Sequence, residues 1–168
     1  MLTKLKQEDL LKENLSWLCI EPMLLSVRGK NLEIKANLYA QLNEGQRSLY
    51  MFYAFHNHVH SIFDFYWYAA FYMNEIKAWD GVKRGVLFFK DQELLNVLEH
   101  LEILIEQKNK GTNGIWNEIT ISDLEQDPSL HESVSKLFND YQSMAPMTIN
   151  QMNLYIRKNQ AEFLEIEV

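Results

Sequence analysis

NEGQRSLYMFYAFHNHVHSIFDFYWYAAFYMNEIKAWD, residues 43–80, decides the fold class. Eleven of the chain's 21 aromatic residues fall between Tyr50 and Tyr72, and between Ser48 and Asn74 the only Asp, Glu, Lys or Arg is Asp64. Asn43 with Gln46 three positions on is a capping-box pattern, in which the two side chains satisfy backbone N–H groups at a helix start. Asp80-Gly81 reads as punctuation at the other end. The pattern predicts one long helix over 44–77. On a wheel at about 100° per residue, Gln46, Asn57, Ser61, Asp64, Tyr68 and Glu75 gather in one narrow stripe. Phe52, Phe55, Val59, Ile62, Tyr66, Ala70 and Met73 lie opposite. Such a helix is buried on three sides. Its polar stripe faces either water, with Asp64 solvated, or an internal cavity, with Asp64, Asn57 and Tyr68 as ligand-binding residues.

Helical periodicity continues outward in both directions. Leu10, Leu11, Leu15 and Leu18 predict a helix over 4–20, ended or kinked by Pro22. Ile34, Leu38, Tyr39 and Leu42 share a face of a second, over 32–42. A short helix is expected over 82–89, and Asp91 caps another to about residue 107. Residues 108–114 form a loop, and 115–121 read as extended. Ser122-Asp123-Leu124-Glu125 is a second capping box, Asp127-Pro128 opens a further helix, and Thr148 with Gln151 caps a last one running to about residue 165. Connections are short, and only six glycines and three prolines interrupt the chain. The expected architecture is all-α: one domain over residues 1–168, a bundle of five to seven helices around the long aromatic-rich one.

Histidine spacing raises metal chemistry. His56, His58 and His60 alternate, which on a helix turns His58 away from the other two. His56 and His60 are four apart, a ligand spacing for one helix face. Glu102, near the apolar face of Leu94, Leu95, Leu98, Leu101 and Ile105, is the best third ligand, and a divalent metal is the one cofactor this set suggests. The simpler alternative packs the histidines beside the polar stripe. No His-Glu-x-x-His or paired Glu-x-x-His motif occurs, nor any phosphate-binding glycine loop or Gly-x-Ser-x-Gly elbow. Cys19 is the only cysteine, so it forms no internal disulfide and reads as a small core residue.

The net charge of −7, from 16 basic and 23 acidic residues, disfavours nucleic acid. No apolar leader or run of about 20 apolar residues marks export or a membrane span, so a cytoplasmic location is expected. The first functional expectation is a non-enzymatic domain that binds a partner protein or itself, as a homodimer, because aromatic and methionine side chains favour interfaces. The alternatives are a metal-dependent hydrolase or transferase using His56 and His60, and a small-ligand sensor with an aromatic pocket.

Overall fold

The computed structural model describes residues 1–167 and is an all-α bundle closed by a small parallel ribbon. Strand β1 (Thr3–Leu5) pairs with β2 (Leu164–Ile166), Thr3 opposite Leu164 and Leu5 opposite Ile166. Between them lie α1 (Leu15–Ser26), α2 (Leu32–Gln41), α3 (Glu44–His56), α4 (Ile62–Asn74), α5 (Trp79–Phe88), α6 (Gln92–Asn109), α7 (Ser122–Gln126) and α8 (Pro128–Lys158). That is one helix more than expected.

The predicted helix over 44–77 is two helices. Its start is as read: the Asn43 side chain accepts from the Gln46 backbone N–H, and the Gln46 side chain accepts from that of Asn43. The helix then stops at His56, because a second N-cap, Ser61, intervenes. Ser61 Oγ accepts from the Asp64 N–H at 3.1 Å, its hydroxyl donates to Asp64 Oδ2 at 2.9 Å, and the His60 N–H donates to the same oxygen at 3.2 Å. A new helix starts there, and the Asn57–Ser61 link turns the chain. The single stripe therefore does not form. Gln46, for example, is buried at the other end of α3, where its amide donates to the Glu162 and Met1 carbonyls.

Other boundaries move for similar reasons. The segment 4–20 begins as β1 and a 3-10 turn, and α1 carries Pro22 inside it. Gly81 does not end a helix. It lies in α5 with Gly85, four residues on, and the pair lets α5 press against α3: a Cβ on Gly85 would sit 2.8 Å from the Ser48 carbonyl oxygen. Residues 115–121 contribute only an isolated bridge, Lys110 with Trp116. The Ser122 box is displaced, since Asp123 accepts from the Thr120 N–H instead. α8 runs unbroken through Pro146, held on both sides by buried Tyr141, Ala145, Met152 and Ile156. Thr148 caps nothing; its hydroxyl donates to Asp91 Oδ2 at 2.6 Å, tying α8 to the start of α6. The helix expected to reach 165 stops at Lys158, and its tail is β2.

The core is aliphatic between α6 and α8 and aromatic between α3, α4 and α5. Phe55 meets the Phe65, Tyr72, Trp79 and Tyr141 rings at centroid distances of 5.1 to 6.3 Å, mostly edge-on. No helix among the described residues is long and apolar enough to cross a membrane.

Candidate functional site

A groove of about 1340 Å³ runs the length of α3. Glu44, Arg47, Ser48, Met51, Ala54 and Asn57 form its floor, one helical face at spacings of three and four. α1 and α2 supply one wall. The end of α4, its connection to α5, and α5 supply the other. The close approach of α5 places that second wall low against the floor. At about 1.5 Å per residue the groove is about 20 Å long.

Aromatic side chains give the groove its character. Trp17, Tyr39, Tyr50, Tyr53 and Tyr72 all line it. Tyr50, Tyr53 and Tyr72 are buried, so only their edges reach the opening. The Tyr53 hydroxyl hydrogen-bonds Ser16 at 2.7 Å, and burial pushes its pKa up to about 12. Burial also raises Tyr72 well above the ordinary tyrosine value, with nearby Tyr50 and Tyr68 adding to the effect. These phenols stay protonated at neutral pH, so each hydroxyl can both donate and accept.

Charge is distributed unevenly. Five of the sixteen basic side chains line the groove (Arg28, Lys35, Arg47, Lys77 and Arg84), but only three of the twenty-three acidic ones (Glu21, Glu44 and Asp80). Arg47 is spent on structure: it donates to the Tyr39 and Ala40 carbonyls and lies 5.4 Å from the Tyr39 ring centre. Among the described residues the other four basic side chains make no ion pair with a carboxylate. Burial lowers the His58 pKa, with His60, Lys35 and Arg28 adding to the effect and the Asp64 carboxylate opposing it.

The predicted ligand-binding residues separate here. Asn57 lines the groove. Tyr68 does not line it but stacks at 4.5 Å on the ring of His58, which does. Asp64 caps α4 and does not line the groove. His58, set aside on the assumption of a continuous helix, is the histidine that reaches it.

The predicted metal ligands occupy three different settings. His56 turns into the bundle, stacks on Phe52 at 5.0 Å and shares a 2.8 Å hydrogen bond between Nδ1 and the Tyr141 hydroxyl. Burial, then His60, lowers its pKa, so neutral pH leaves it uncharged. It borders a second cleft of about 840 Å³ with Tyr141, Asn153 and Arg157. His60 lies in the exposed link before α4. Glu102 is held by Lys83 at 2.5 Å. Among the described residues no three of His, Cys, Asp and Glu are grouped to hold a metal ion. Cys19 is buried, and burial pushes its thiol up to about 12, far from a nucleophile's range.

No protein-family model, curated protein or solved structure matches the chain.

What sequence reasoning missed is the groove's cationic side. Arg28, Lys35, Lys77 and Arg84 come from four separate segments, so no local pattern marks them. The one local signal was Gly81 with Gly85, a small-residue pair at helical spacing that marks close helix packing.

Proposed function

We propose that this chain is a non-enzymatic protein-interaction domain whose groove along α3 seats a segment of a partner protein. The observation that carries the reading is the groove's size and lining. Small-molecule sites usually enclose about 300–1000 Å³ and bury most of their ligand. This groove exceeds that range at about 1340 Å³, and it is an open trough rather than a cavity. Its lining of tyrosine and tryptophan suits a peptide, because such side chains present large, rigid, amphipathic contact area.

Ala54 on the floor allows a direct test. An Ala54→Trp variant fills the groove without removing a core contact. Wild type and variant, matched for Tm, are used to purify bound proteins from the native cell, with quantification by mass spectrometry. At least one protein is expected to be lost with Ala54→Trp and kept by Glu132→Ala on the exposed face of α8. Equal retention of every bound protein by the filled-groove variant sinks the reading. If the lost species is a second copy of this chain, the groove is a homodimer contact.

A small-ligand seat is the second reading. The Tyr50 and Tyr72 hydroxyls favour it: both side chains line the groove, and among the described residues neither makes a hydrogen bond within the chain. Thermal shifts against a compound library test it, with loss of any stabilisation in Tyr72→Phe expected.

A further inference from the structure

We infer that the segment seated in the groove is acidic at one end: carboxylates of the partner meet Arg28, Lys35 and Lys77, and its apolar side chains lie along Tyr50, Tyr53 and Tyr72. The inference rests on the reading of the groove as a docking seat and adds the partner's chemistry and orientation.

The placement of each cation follows from neighbouring contacts. α5 lies antiparallel to α3, with Gly85 against Ser48 and Gly81 against Met51. Trp79 therefore comes further along, its ring 5.1 Å from that of Phe55. Lys77 precedes it and belongs to the end of the groove near Asn57. α2 folds back on α3: Tyr39 packs on Tyr50 at 5.8 Å and Arg47, near the start of α3, holds the Tyr39 and Ala40 carbonyls at the end of α2, so Lys35, a turn earlier, stands toward Asn57. Lys35 and Lys77, with Arg28 in the link before α2, thus line the part of the groove toward Asn57 from three segments. At the opposite end Arg84 stands with Arg47 and Glu44, while Asp80, midway along beside Gly81, pairs with Lys83 at 3.2 Å.

Lys77 holds its place at a conformational cost. Its φ is +55°, in the left-handed region that glycine normally fills at a helix C-terminus, and the Ala78 N–H behind it closes on the Tyr72 carbonyl at 2.8 Å. A lysine there keeps a charge at the groove that the usual glycine lacks.

Peptide is favoured over nucleic acid. Tyrosines with cations also suit single strands. A continuous polyanion, however, would run past Glu21, Glu44 and Asp80 on a chain of net charge −7. A peptide carries its charge at one end and avoids them. From Ser48 to His58 the groove spans about 15 Å, which an extended chain covers in about four or five residues. The expected segment has two or more Asp or Glu residues, followed by about four or five positions that are mainly apolar.

The test is selection of a random octapeptide display library on the whole chain, followed by calorimetry with the enriched peptide. Enrichment of Asp and Glu at one end, with apolar residues after them, is expected. Arg28→Gln with Lys35→Gln is expected to weaken that peptide about tenfold, and Lys77→Gln by about threefold. Raising salt from 0.05 to 0.5 M is expected to weaken it further, because exposed charges are screened. Lys136→Gln, exposed on α8 and outside the groove, is expected to change it less than twofold. Selection without acidic enrichment, an enriched basic peptide, or tighter binding of an eight-base oligothymidylate each overturns the inference. A neutral apolar consensus that Ala54→Trp still blocks would overturn it and leave the docking seat standing. Binding by Ala54→Trp equal to wild type would instead remove the seat.

Discussion

The two halves of this bundle bury their apolar residues differently. α6 and α8 meet through aliphatic side chains, with Leu94, Leu98, Leu101 and Ile105 facing Val134, Met152 and Ile156, all 0% exposed. α3 and α4 meet through rings, and one side of α3 stays open as the groove. An aliphatic side chain has no polar end, so its best arrangement is complete closure. Tyrosine has an apolar body and a hydroxyl that wants a partner. A surface built from tyrosine tolerates a water-filled trough, and a ligand can displace that water. The difference suggests that stability is concentrated in the aliphatic seam and recognition in the aromatic trough. Leu98→Ala is expected to cost about 2–5 kcal/mol in urea denaturation. Tyr72→Phe, in the trough wall, is expected to change stability by less than about 0.5 kcal/mol. Comparable losses from the two would erase the distinction.

The trough depends on how closely its α5 wall sits. A methyl at Gly85 meets the Ser48 carbonyl at 2.8 Å, a backbone atom that cannot rotate away. Overpacking of this kind costs about 1–3 kcal/mol, and alanine's better helix propensity returns about 1 kcal/mol. Gly85→Ala is expected to lower stability by about 1 kcal/mol net and to weaken any ligand of the groove, because α5 must move outward. A stabilised variant with unchanged binding would show that the wall is not set by this contact.

How far the sequence discloses the molecule differs between the same two halves. The aliphatic seam was legible: Leu94, Leu98, Leu101 and Ile105 repeat at helical spacing, and Asp91 caps α6 as read, accepting from the Leu94 N–H at 2.9 Å. The aromatic half misled, because an apolar period continued across 57–61 and hid a cap. Ser61 with Asp64 three residues on carries the same logic as Asn43 with Gln46. Of the groove's lining, only Asn57 and the general abundance of rings were legible. Its cations come from α2, α5 and two connections, and only the fold gathers them. Thr148 misled in the opposite sense: it reads as the cap of a separate last helix, but α8 runs unbroken past it. Ser61→Ala tests the break directly. Loss of the cap is expected to cost about 1 kcal/mol and, by loosening the turn that positions His58, to disturb the cationic end of the groove. No loss of stability would mean that the break is set by packing of Val59 alone.

Two histidines flanking that break extend the comparison to pH. His56 faces the bundle and His58 the groove. Burial lowers the folded-state pKa of His56 below its ordinary 6.5, so over the interval between those values the unfolded chain binds more protons. Its contribution is therefore complete above pH 6.5 and is lost as pH falls through that value towards the folded one. Stability measured from pH 8 to pH 5 is expected to decline, and His56→Gln to remove part of the slope. A slope unaltered in the variant would place the titration elsewhere.

The smallest effect expected is the most informative about the groove. Lys77 and Lys90 both have positive φ, +55° and +62°, and both follow a helix end. Only Lys77 lines the groove. Glycine adopts this conformation without the Cβ clash, so Lys77→Gly and Lys90→Gly are each expected to raise stability by about 0.5 kcal/mol. The backbone argument makes no distinction between them. Binding does: an acidic peptide loses affinity with Lys77→Gly and none with Lys90→Gly. If both variants gain stability and neither loses affinity, the lysine at 77 is a helix-end residue like its counterpart, and the charge at the groove must rest on Arg28 and Lys35 alone. If only Lys77→Gly loses affinity, a residue that costs the fold stability is shown to contribute to binding.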